Sequence, residues 1–192
     1  LQKGRGLIDC VLGQHLHFLL KQYDINCVLD VGANTGQYGV ELRRAGYEGY
    51  IISFEPVSAV FAQLQQRCVD DAKWSAHNFA LGSEDSRATI NVAHNSSFSS
   101  FLTPLADHEF QFEGGEKVEN TEEVVVRRLE FVIDEVSGHI VAPNFFLKMD
   151  TQGFDLQVLE GLGQQTDKMI GLQSEVSALP IYEGMPHHSE AI

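Results

Sequence analysis

The stretch Val28-Leu-Asp-Val-Gly-Ala-Asn-Thr-Gly36 decides the fold. Val28 to Val31 is a short apolar run of the kind that fills a strand covered on both faces. Glycine- and asparagine-rich residues follow as far as Gly39, and Val40 to Ala45 continues as a helix that stops near Gly46. Strand, glycine loop and helix in that order place the loop at a strand's carboxyl end, where open α/β sheets bind ligands. Glycine permits positive φ and close backbone approach to a ligand. The helix that follows is expected to offer N–H groups to an anion, here a carboxylate.

Working outward, Tyr50 to Phe54 is the next strand-like run and Ser58 to Val69 the next helix. Trp74 to Leu81 reads as a third strand and Ala88 to Val92 as a further extended piece. Asn95 to Thr121 turns to Ser, Asp, Glu and Gly and reads as a loop or irregular insert. Val124 to Leu129 is β-branched and then amphipathic through Val136, Phe145 to Met149 is a buried strand, and Leu156 to Leu162 a short helix. Ile170 to Val176 is the last strand. On the amino-terminal side, Leu7 to Leu20 has helical apolar spacing. Strands alternating with helices predict a doubly wound, mainly parallel α/β sheet with Val28–Val31 in its middle, and no internal linker divides residues 1–192.

The chain of 192 residues carries 13 basic and 27 acidic side chains, a formal charge of -14. Such a surface repels phosphate backbones and anionic membranes, so neither nucleic acid nor membrane is expected as a partner. No stretch reaches the ~20 apolar residues of a spanning helix. Cys10, Cys27 and Cys68 show no metal-ligand spacing, and Cys10 and Cys27 read as small core residues. A reducing, cytoplasmic setting fits. Asp70-Asp71 and Glu122-Glu123 read as solvated charge.

Ser53-Phe-Glu55-Pro56 ends the second strand in an acid about 20 residues beyond the glycine loop. That spacing suits an acceptor for ribose hydroxyls, with Pro56 turning the carboxylate outward. The loop does not spell the dinucleotide pattern G-x-G-x-x-G, because Asp30 and Asn34 occupy it. An acid facing a pyrophosphate costs binding, whereas Asp30 suits the ammonium of a sulfonium amino acid or its bridging water. This favours S-adenosylmethionine over NAD.

A third segment is more specific: Phe146-Leu-Lys148-Met-Asp150-Thr-Gln-Gly153-Phe-Asp155-Leu-Gln-Val-Leu159-Glu-Gly161. It resembles the FkbM family of methyltransferases, whose pattern there is close to L-K-x-D-x-x-G-x-(D/E)-x-x-V-L-x-G. Phe54-Glu55-Pro56, Ala80-Leu-Gly82, Arg128-Leu129, Glu175-Val176 and Leu179-Pro-Ile-Tyr182-Glu-Gly184 agree with it. The resemblance runs from about Val28 onward. It implies a Rossmann-like class I methyltransferase fold and S-adenosylmethionine-dependent O-methylation of a small molecule, sugar or glycan. It also maps Asp30, Gly32, Asn34, Gly36 and Glu55 to the donor site. Families of this fold close the sheet with a further helix and hairpin; nothing follows Ile192, so the methyltransferase domain is expected to be incomplete at its C-terminus.

An alcohol attacking a sulfonium carbon needs its proton removed by a base or a bound metal. Asp150 and Glu175, each ending a strand, are the candidate catalytic residues, and the same two are the candidates for a divalent metal such as magnesium. A hydrogen-bonded structural pair is the alternative. Lys148 and Asp150 lie two apart on a strand, hence on one face, and are expected to form an internal ion pair. Trp74 and the Phe98/Phe101 pair either border a substrate pocket or pack in the core or a lid. Two other functions stay open: an NAD-linked oxidoreductase on a similar fold, and a non-catalytic S-adenosylmethionine-binding or scaffold protein.

Overall fold

The computed structural model describes residues 13–105, 114–177 and 179–190. Helical residues 13–22 (α1) lead into β1 (Cys27–Val31), α2 (Gln37–Arg44), β2 (Tyr50–Phe54), α3 (Ser58–Cys68) and β3 (Trp74–His77). Then come β4 (Ala80–Leu81), β5 (Ser86–Ala93), β6 (Val118–Arg127), α4 (Leu129–Ser137), β7 (Phe145–Met149), α5 (Asp155–Glu160) and β8 (Met169–Ser174). Cys10 and the start of the expected first helix lie outside the described residues, as do 106–113 of the expected insert and Ile192.

The main sheet has five strands in the order β3-β2-β1-β7-β8, with every pairing parallel. This is a Rossmann-like arrangement in which β1 is central, and the strand order reverses there. All five β1 residues are buried. Alternation along the strand divides them between two cores. Cys27, Leu29 and Val31 pack with Leu129, Val132, Ile133 and Val136 of α4 and Val158 of α5. Val28 faces the other way, toward Leu20 of α1, Leu42 of α2 and Leu64 of α3. Helices on both faces explain why β1 and β7 are almost continuously apolar.

Three expectations are corrected. The run Trp74 to Leu81 is not one strand: it breaks at Asn78-Phe79, and β4 belongs to a second, three-stranded sheet of order β4-β6-β5. At the break the Asn78 amide donates to the carbonyls of Glu55 and Pro56, both at 2.9 Å, which turns the chain off the main sheet. The expected loop from Asn95 to Thr121 also holds more order: Ser96–Phe98 is a 3-10 turn, and β6 begins at Val118 to pair antiparallel with β5. Glu122, expected as solvated charge, accepts from the Ser58 N–H at 3.1 Å and from its hydroxyl at 2.5 Å. It therefore caps α3 from the second sheet. Asp71 likewise pairs with Arg43 at 2.7 Å. Among the described residues no helix is long and apolar enough to cross a membrane.

Candidate active site

The glycine loop is shaped by the protein's own backbone. Gly32 has φ +72°, and a Cβ there would lie 2.1 Å from the Asp150 carbonyl oxygen. Gly36, at φ +87°, is closed off by Leu64 and Trp74. Close approach within the protein at these two positions is thus to β7, α3 and β3, while Gly32 also lines the cavity. Asn34 is also left-handed, at φ 49°, a conformation that Asn tolerates better than most residues. Its Oδ1 accepts from the Thr35 N–H at 2.7 Å and the Ser96 hydroxyl at 3.1 Å.

Five consecutive amides of this loop already have protein acceptors. Gly32 and Ala33 donate to the Phe54 carbonyl, Asn34 to Glu55 Oε2, Thr35 to Asn34 Oδ1, and Gly36 to the Ala33 carbonyl. A pyrophosphate at these amides would have to break those bonds; the N–H groups expected to serve an anion are instead those at the start of α2, which begins at Gln37.

Glu55 sits at the end of β2 and is 6% exposed. Its two oxygens accept from Asn34 N–H at 3.0 Å and Val57 N–H at 2.8 Å, tying the first two strand-to-helix turns together. Burial raises its pKa to about 7, against the pull of those two amides. Its carboxylate is held inward by the amides rather than turned freely outward, but it remains on the cavity wall.

Asp30 is fully buried beneath the loop and does not line the cavity. Cross-strand register places it opposite Lys148, and the two form an ion pair at 3.0 Å. The Ser53 hydroxyl also donates to Asp30, at 3.3 Å. The expected partner Asp150 is farther from Lys148, at 3.7 Å. Burial opposes the Lys148 charge, but Asp30 and Asp150 together raise its pKa above the ordinary value. Asp30 is therefore paired with Lys148 behind the cavity wall.

Asp150 and Glu175 do come together. Asp150 follows β7, its N–H bonded to Val31 O at 3.0 Å, and Glu175 follows β8, its N–H bonded to Met149 O at 3.3 Å. The hydrogen bond and charge of Asp150 raise the Glu175 pKa to about 7, with burial adding and Lys148 opposing. The pair can hold one shared proton near neutrality. Asp150 is oriented by Gln152, whose side-chain N–H donates to Oδ1 at 2.8 Å. Gln152 in turn accepts from the Tyr182 hydroxyl at 3.2 Å, and its backbone carbonyl from Ser100 at 2.8 Å. Among the described residues no group of three or more His, Cys, Asp or Glu side chains converges to hold a metal ion.

Gly32, Asn34, Glu55, Asp150 and Glu175 border one cavity of about 680 Å³, in the range of small-molecule sites. Asp30 and Gly36 support it from behind. Lys148 lies on the wall as well, and Leu81, Ile90 and Phe101 add apolar lining. Phe101 packs on Phe154 with centroids 4.7 Å apart, so of the two readings it borders the pocket. Trp74 is core, its indole N–H donating to Ser53 at 3.0 Å. Gln152, Ser96 and Lys148 as wall residues were missed in the sequence. Its place inside the Phe146–Gly161 motif, two residues after Asp150, was the one available signal for Gln152.

A family model described as "Methyltransferase FkbM domain" matches residues 30–192. Comparison with curated proteins returned no match.

Proposed function

Because the chain belongs to the FkbM methyltransferase family, we propose that its cavity takes S-adenosylmethionine and directs the methyl group to a hydroxyl of a small molecule, sugar or glycan. The observation that carries this reading is Glu55. It is a buried acceptor on the wall of a cavity whose loop amides are already used. That chemistry suits a ribose diol and a cationic donor, and disfavours a pyrophosphate. The residues present fit the group: Glu55 would accept from the ribose hydroxyls, and Lys148 would meet the amino-acid carboxylate.

When bound, the donor supplies an electrophilic methyl carbon on sulfur. The acceptor oxygen forms a bond to that carbon as the carbon–sulfur bond breaks, so alignment supplies much of the rate. The hydroxyl proton passes to the Asp150–Glu175 pair in its doubly ionised form, which is basic enough to take one because two adjacent carboxylates resist both being charged. Lys148, paired with Asp30 at 3.0 Å, stands 3.7 Å from Asp150 and adds a nearby positive charge. The reading is therefore proton transfer to the pair.

Calorimetry against S-adenosylmethionine and NAD, followed by methyl transfer to a panel of hydroxylated acceptors, tests the proposal. Donor binding without NAD binding is expected, with turnover unaffected by chelator. Asp150→Asn should keep donor affinity and lower turnover by roughly 10²–10⁴, as for a lost general base. NAD binding in preference to the donor overturns the proposal. Donor binding without turnover on any acceptor would instead support the scaffold reading.

A further inference from the structure

We infer that Asp155 is a positioning residue: its carboxylate straps together the two chain segments that carry Asp150 and Glu175 and holds that pair closed. The inference rests on the reading of the pair as proton acceptor.

Asp155 opens α5 and is 7% exposed. One of its oxygens accepts from the Thr151 N–H at 3.0 Å and from the Thr151 hydroxyl. The other accepts from the Ser174 hydroxyl. Thr151 directly follows Asp150, and Ser174 directly precedes Glu175. One buried side chain thus bridges the ends of β7 and β8 where the two acids leave them. Capping α5 would need contacts in its own turn alone; the bond to Ser174 reaches a different strand. Thr151 and Ser174 both line the cavity, whereas Asp155 does not, so it acts through them and touches no reacting atom.

The groups facing Glu175 are Lys148 and Asp150 from the end of β7 and Asp155 from α5, and Tyr182 from the C-terminal segment feels both acids. Asp150 is the largest influence on Glu175 and raises its pKa. Separating the two carboxyls must therefore lower the Glu175 pKa toward that of an ordinary glutamate.

Ser174→Ala removes one arm of the strap without changing any charge. Its effect is read by carbon-13 NMR titration of the side-chain carboxyls and by turnover on the best hydroxylated acceptor of the panel. The Glu175 titration is expected to move from about 7 toward the ordinary ~4.3. The acid limb of the kcat profile should follow it downward, and kcat should fall by roughly 10-fold or more from lost alignment. Donor affinity should be kept, and Ser174→Thr, which retains the hydroxyl, should restore both readouts. A Ser174→Ala protein that melts lower but keeps the wild-type carboxyl titration and kcat would show that Asp155 only stabilises α5, and the inference falls. A wild-type rate in Asp150→Asn would sink the base reading instead, and the NMR titration would still decide the strap.

Discussion

The carboxyl of Glu55 is pulled in two directions, by burial toward the neutral form and by the Asn34 and Val57 amides toward the charged one. Burial dominates, and the pKa lies near 7 instead of the ordinary 4.5. A carboxyl raised on folding contributes its full stability below the unfolded pKa and loses it as pH rises through the folded value. From this group alone, stability falls between those two values. A cationic donor that offers two hydroxyls reverses the preference, because it needs the ionised form. Donor affinity is therefore expected to strengthen as pH rises through about 7, and calorimetry across that range checks it. Glu55→Gln should flatten the profile. Glu55→Ala should weaken donor binding by about 2–3 kcal/mol, in the range for charge-assisted hydrogen bonds. A slope in the Glu55→Gln protein equal to that of the wild type would assign the titration to another group.

Elements depend on fits that single residues do not reveal. Gly39 of α2 packs against the Trp74 ring, and a Cβ there would lie 2.2 Å from Trp74 Cζ2. Gly39→Ala should cost about 1–3 kcal/mol by overpacking, despite the higher helix propensity of alanine. Trp74 is the single tryptophan, so denaturant melts followed by its fluorescence report the event directly; a variant as stable as the wild type would show that α2 shifts freely. The β1–loop–α2 unit was legible because its apolar period, glycines and helix follow one another locally. The second sheet was not. β6 begins with Val118, Glu119, Asn120 and Thr121, mostly polar and exposed, and becomes strand only by pairing with β5. The partner of Lys148 was hidden for the same reason: Asp30 meets it through a β1–β7 register 118 residues apart in chain position that no local pattern encodes. The acids Glu55, Asp150 and Glu175 were legible as strand ends, since strand ends of a parallel sheet converge on one edge. What each touches was not, because it depends on loops folded back from elsewhere.

At the scale of the whole molecule, charge favours one ligand over its product. The chain carries a formal charge of -14, and among the described cavity-wall residues Glu41, Glu55, Asp150 and Glu175 face a single basic side chain, Lys148. Asp30, behind the wall, already balances that lysine. A low-dielectric cleft with an unbalanced negative sign concentrates cations and repels anions. S-adenosylmethionine carries a sulfonium charge that is lost once the methyl group leaves, so donor and product differ by one positive charge at the atom where the reaction occurs. The donor should consequently bind more tightly than the demethylated product. The difference should shrink with added salt, because the Debye length falls from ~10 Å at 0.1 M to ~3 Å at 1 M and the distant acidic surface drops out. What survives at high salt is the contribution of the cavity's own carboxylates, which bulk ions screen least. Paired titrations of donor and product at low and high salt separate the two contributions. The donor is expected to lose several-fold in affinity while the product changes little. Equal salt dependence for both would mean that the field of the molecule does not reach the sulfonium position, and that selectivity there rests on contact alone.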